Sequence, residues 1–113
     1  MAKLSLETDN TQSISVMKVR GQVDSETAPE LDRALSKLLA DGRNKIVLDM
    51  SDMEFMSSAG LRALVKALKE AQGSGGDVRL ASVPEQVNGV LLTVGMTQMF
   101  KMFSTSEEAV TGF

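Results

Sequence analysis

The chain contains no cysteine and no histidine, so any chemistry must come from hydroxyls, carboxylates and amines. Without thiols there is no disulfide, thiolate nucleophile or zinc ribbon. Without imidazole the usual general base and the commonest metal ligand are missing. Among the hydroxyls, Ser57 and Ser58 stand out because Ala59-Gly60 and then Leu61, Leu64, Val65 and Leu68 follow them. That spacing is the i, i+3, i+4, i+7 stripe of an amphipathic helix, which puts both serines at a helix start. A serine there can cap the helix through its hydroxyl. It can also accept a phosphate, because free N–H groups and the helix dipole favour an anion at that end. The phosphate would add about −1.5 to −2 charges to the surface, to be read by a partner while the fold stays intact. As the nucleophile of a small hydrolase, Ser58 would need a base, and only Lys66 or a carboxylate could serve. The expected class is therefore a binding or signalling protein and not an enzyme.

Other constellations carry less. Gly73-Ser74-Gly75-Gly76-Asp77 lacks the Lys-Ser/Thr of a phosphate-binding loop and follows a helix, so it reads as a plain turn. Gly21-Gln22-Val23-Asp24 has no dinucleotide spacing. Asp24, Asp49, Asp52 and Glu54 are acidic residues of a kind common in loops, and no metal or cofactor is expected from them. Arg62, Lys66 and Lys69 share a face of the helix after the serines; they form either a solvated face or a surface for an acidic partner. Met50, Met53, Met56, Met96, Met99 and Met102 read chiefly as core filling, with Met56 and Met96 as candidates for an adaptable interface near Ser58.

The elements that must position Ser58 follow from the pattern on either side of it. Leu4-Ser5-Leu6 reads as a short strand, Asp9-Asn10-Thr11 as a turn, and Ile14 to Arg20 as a second strand ended by Gly21, together a hairpin. Thr27 and Glu30 match a capping box with Pro29 in the first turn, opening a helix with Leu31, Ala34, Leu35, Leu38 and Leu39 on one face and Asp41-Gly42 at its end. Ile46 to Met50 is a central strand whose continuous apolar run points to cover on both faces. Val78 to Ala81 is the next strand. Pro84 opens a helix with Val87, Val90, Leu91 and Val94 buried and Gly95 as its cap. Met99 to Phe103 reads as an edge strand, and Ser106-Glu107-Glu108-Ala109 starts a short last helix. The order ββ-α-β-α-β-α-β-α predicts an α/β sandwich with a mostly parallel sheet, an N-terminal hairpin strand and about four helices.

With 113 residues, 42% hydrophobic and 24% charged, residues 1–113 suit one domain. The net charge of −3 and the absence of Trp and Tyr argue against direct nucleic-acid binding. No apolar run approaches the ~20 residues of a membrane span. The N-terminus lacks a signal-peptide pattern, so a cytoplasmic location with no membrane contact is expected. A monomer is the default, since no long apolar stripe is left over.

Asp49-Met50-Ser51 followed by Phe55-Met56-Ser57-Ser58-Ala59-Gly60-Leu61 resembles the STAS domains, the bacterial anti-sigma factor antagonists and their relatives. The resemblance extends to Gly21-Gln22-Val23-Asp24, to Leu80-Ala81 with Pro84, to Leu91-Leu92-Thr93-Val94-Gly95-Met96 before Met99-Phe100, and to Glu107-Glu108-Ala109. It implies a STAS-type sandwich and partner switching. In that family the unphosphorylated antagonist binds a serine-kinase anti-sigma factor, which releases its sigma factor. The kinase phosphorylates a serine at the start of the second helix, and a PP2C-type phosphatase reverses this. Aligned on Gly60-Leu61, the acceptor is Ser58, with Ser57 as second choice in the position where the family commonly has Asp. Asp24 is the acidic neighbour that the resemblance places near the acceptor. Asp24, Ser57, Ser58, Ala59, Gly60 and Arg62 are thus the expected partner-binding residues. STAS-like domains also serve as interaction modules in phospho-relays that control no sigma factor, and this is the alternative.

Overall fold

The computed structural model of the chain describes residues 3–93 and 98–113. Strands β1 (Leu4–Thr11) and β2 (Ile14–Val23) form an antiparallel hairpin, from Leu4 opposite Gly21 to Thr11 opposite Ile14. The hairpin is longer than the sequence suggests. Asp9-Asn10-Thr11 is strand, not turn, and the chain reverses at Gln12-Ser13, where Gln12 takes a φ of 54°. The polar run from Glu7 to Asn10 marks the solvated edge of a sheet. Nor does Gly21 end β2. At its φ of 95° an added Cβ would strike the carbonyl oxygen of Lys3, so glycine lets the strand continue beneath the start of β1.

Helix α1 (Ala28–Ala40) buries Leu31, Leu35 and Leu38, with Ala34 and Leu39 partly covered. Strand β3 (Lys45–Asp49) begins and ends one residue earlier than expected. Its Ile46, Val47 and Leu48 are all fully buried, because β3 lies between β2 and β5 (Asp77–Ala81), parallel to both, with cover on each face. A four-residue strand, β4 (Met53–Met56), was not evident from the sequence; it pairs in parallel with the end of β2, opposite Gly21, Gln22 and Val23. Helix α2 (Ser58–Gly73) buries Leu61, Leu64 and Leu68 together with Ala63, Ala67 and Ala71. Helix α3 (Glu85–Thr93) follows Pro84 directly and buries Val87 and Leu91, with Val90 partly covered. The expected contributions of Val94, Gly95 and Met96 lie outside the described residues. Strand β6 is only Met102–Phe103, shorter than the expected Met99 to Phe103. Helix α4 (Ser106–Val110) is capped by Thr105, whose Oγ1 accepts from the Glu108 N–H at 3.1 Å.

The sheet runs β1-β2-β3-β5-β6, with β4 beside β2; among the described residues only the β1–β2 pair is antiparallel. The strand alternation separates two cores. Met17, Val19, Ile46, Leu48 and Leu80 pack with α1 and α2 in the main one. Val47 and Ala81 face the other way and pack with Ala109 of α4, Val16, Phe103 and Phe113. Buried Arg79 ties this second layer down. Its guanidinium donates to the carbonyls of Ala109 at 2.9 Å, Thr111 at 3.0 Å and Gly112 at 3.3 Å, and it lies 4.0 Å from the centroid of the Phe113 ring.

Candidate functional site

Two chain crossings meet where β2 and β4 end, at the carboxyl end of the parallel strands, the usual place for sites in such sheets. The Ser57 N–H donates to the Val23 carbonyl at 2.8 Å, which carries the β2–β4 pairing up to the first residue before α2. Ser57 has extended backbone, with φ of −90° and ψ of 173°, and its hydroxyl accepts from the Gly60 N–H at 3.5 Å. Ser57 is therefore the N-cap. Ser58 is the first helical residue, is exposed, and its hydroxyl makes no hydrogen bond among the described residues. Gly60 is buried under β2: a Cβ there would come 2.6 Å from Cγ1 of Val23. This close approach seats the α2 start against the sheet, and only glycine allows it without a shift.

The loop after Val23 is built around Asp24. One carboxylate oxygen accepts from the N–H groups of Glu26 at 2.9 Å and Thr27 at 3.1 Å, and the other pairs with the Lys3 ammonium at 3.2 Å. The Thr27 N–H bond does most to hold the Asp24 carboxyl below its ordinary value of 3.8, with Lys3 and the Glu26 N–H adding to it against partial burial. Lys3, shared between Asp24 and Glu26, is correspondingly raised. The expected capping box does not form. The Thr27 hydroxyl instead donates to the Gln22 carbonyl at 2.9 Å, so it is turned back to the strand and cannot reach the Glu30 N–H. Asp24 orders the entry to α1 in its place. Asp24, expected as the acidic neighbour of the acceptor, therefore has a structural role at the entry to α1.

Between α1 and α2 lies an open groove of about 340 Å³. Ala28, Pro29, Ala59 and Ala63 line it with small apolar side chains, and Asp32, Arg62 and Lys66 supply the charges. The basic row expected on α2 divides. Lys66 pairs with Asp32 at 3.3 Å, whereas Arg62 and Lys69 engage no partner among the described residues. Met56 is buried in the core, as are Met50 and Met53, so it does not form an interface. Phe55 was missed by the sequence reasoning. It is 49% exposed, three residues before Ser58, opposite Gln22 on β4. Strand alternation would not have found it, since Met53, two residues earlier and nominally on the same face, is buried, and the pattern along β4 is irregular.

The acidic residues do not converge. Asp49 accepts from the Ser51 N–H at 3.0 Å; burial pushes its carboxyl up, but the bonds from Ser51 and Ser106 and the charge of Lys18 leave it lowered. Asp52 pairs with Lys18 and Arg20. Among the described residues no three potential metal-ligating side chains gather, and no helix is long and apolar enough to cross a membrane.

The family model described as STAS domain matches residues 5–109. The anti-sigma-F factor antagonist RsfB of Mycobacterium tuberculosis is 29% identical over 88% of this chain and 80% of its own. The anti-sigma-B factor antagonist of Staphylococcus aureus is 24% identical over 92% of this chain and 96% of its own. The crystal structure of an anti-sigma factor antagonist from Mycobacterium paratuberculosis superposes with a TM-score of 0.86 at 25% identity, covering 96% of this chain and 92% of the other. Anti-sigma factor antagonists are regulatory proteins and not enzymes, in agreement with the class expected from the composition.

Proposed function

This chain belongs to the STAS domain family, and we propose that it acts within it as an anti-sigma factor antagonist switched by phosphorylation of Ser58. The unmodified chain binds an anti-sigma factor that is itself a serine kinase, and so frees a sigma factor. The kinase transfers a phosphate from ATP to Ser58, and a PP2C-type phosphatase removes it. The observation that carries this reading is the division of labour between the two serines. Ser57 caps α2, while the Ser58 hydroxyl is exposed and engaged by nothing among the described residues. A phosphate can therefore be added or removed without disturbing a bond the fold uses. Asp24, Ser57, Ser58, Ala59 and Arg62 form the partner-facing surface in this account, with Phe55 exposed on the neighbouring β4, whereas the expected contact at Gly60 falls away because that residue is buried and serves to seat α2.

The switch needs a difference in affinity between the two states. A dianion placed in a desolvated interface disrupts it by repulsion and by its own desolvation. About 3 kcal/mol of such disruption is already a factor above one hundred in binding. The test is a capture experiment with Ser58→Ala and Ser58→Asp baits, read by mass spectrometry. Enrichment of an ATP-binding serine kinase by Ser58→Ala and not by Ser58→Asp is the expected result. The same proteins on both baits would overturn the proposal.

A further inference from the structure

Arg62 stands one helical turn after Ser58, is exposed, and engages no hydrogen bond, ion pair or ring among the described residues. The other cation of the groove, Lys66, is committed to Asp32 at 3.3 Å. The rim beside Ser58 thus holds one uncommitted cation among the described residues. Side chains at i and i+4 on a helix are neighbours, and an acid placed N-terminal to a base is the favoured order. A guanidinium can bond two phosphate oxygens at once. A phosphate on Ser58 therefore falls within reach of Arg62 without backbone movement, and Arg62 borders a groove that Ala59 and Ala63 line with small side chains.

We propose that Arg62 reads the state of Ser58, an inference that rests on Ser58 being the acceptor. With a bare hydroxyl at Ser58, Arg62 is available to a carboxylate of the docked partner, whose apolar portion sits on Ala28, Ala59 and Ala63. With a phosphate, Arg62 turns back over one helical turn and pairs with it. The modification then acts twice: it adds a repulsive charge and withdraws an attractive one. Other charges on the elements that meet here include Glu30, Asp32 and Arg33 on α1, of which Asp32 is paired with Lys66; Glu54 on β4; Lys18 and Arg20 on β2, both paired with Asp52; and the Lys3, Asp24 and Glu26 cluster, whose members are paired with one another.

The test uses the intact chain carrying phosphoserine at position 58, followed by phosphorus NMR as pH is varied at low salt. The phosphate midpoint is expected about 0.3 pH units lower in this chain than in its Arg62→Gln variant. The difference should fade by about 0.5 M salt. Lys69→Gln, a surface cation further along the helix, should leave the midpoint in place. Equal midpoints with and without Arg62, or an equal change in Lys69→Gln, would overturn the capture. In a second arm, the serine kinase recovered by the Ser58→Ala bait should bind Ser58→Ala/Arg62→Gln about tenfold more weakly than Ser58→Ala. Unchanged binding would overturn the docking role. Either failure leaves phospho-control at Ser58 standing, since that is decided by Ser58→Ala against Ser58→Asp; if those two bind alike, the switch falls while the NMR midpoint still decides the capture.

Discussion

Two neighbouring hydroxyls of the same chemistry are separated here by a single step of backbone. Ser57 has extended dihedrals that aim its Oγ at the Gly60 N–H, while Ser58 is already helical and faces solvent. Removing the capping hydroxyl should therefore cost stability and removing the other should not. Ser57→Ala is expected to lose about 0.5–1 kcal/mol in a denaturant melt, toward the low end of cap values because the bond is long. Ser58→Ala should match the unmodified protein. A larger loss for Ser58→Ala would assign the cap to the wrong residue. Asp24 makes a second prediction, about pH. Its folded-state carboxyl is lowered from 3.8, so its charge contributes stability above that value, and the contribution is lost as pH falls through the still lower folded value. The stability gap between the unmodified protein and Asp24→Asn should be full at neutral pH and close below about pH 3.8. A gap that widened on acidification would contradict the network drawn around Asp24.

The seating of α2 on β2 depends on a contact that no side chain can share. Gly60→Ala would bring a methyl to 2.6 Å from Cγ1 of Val23, a branched and buried side chain with little room to move. Overpacking of this kind costs about 1–3 kcal/mol. Denaturant midpoints should show that loss, and an unchanged midpoint would mean that α2 is not seated as described. The helices and the central strands were legible in the sequence because their apolar residues recur at 3.6 or run unbroken, as in Leu31-Leu35-Leu38 and Ile46-Val47-Leu48. The serines were legible too, since a helix stripe starts just after them. Several local features were not. Strand β4 has four residues and pairs with only three, too few to set a period. The end of β2 was hidden by Gly21, which marks a bent continuation and not a stop. The capping box at Thr27 and Glu30 failed because a tertiary acceptor, the Gln22 carbonyl, took the hydroxyl. For the same reasons, the pairing of Lys66 with Asp32 and the exposure of Phe55 required the packed chain.

Taken together, the sheet separates the candidate functional rim from a structural back. The carboxyl ends of β2 and β4 present Ser58, Arg62, Phe55 and the groove between α1 and α2, while α4 covers the opposite face through Arg79. Arg79→Met would leave three carbonyls without their charged donor and should lower stability by about 2–4 kcal/mol. Hydrogen exchange should show α4 losing protection first while α2 keeps it, so partner binding at the rim should survive in the folded fraction. Loss of α2 protection together with α4 would mean that the two layers are not separable in this way. The proposed switch needs no large rearrangement of this fold; in it, a change of charge at one exposed hydroxyl is enough. The most direct test is the affinity of the purified serine kinase for the chain with a bare Ser58 and for the same chain carrying phosphoserine there. The account predicts at least about a hundredfold weaker binding of the phosphorylated chain. Equal affinities would contradict it.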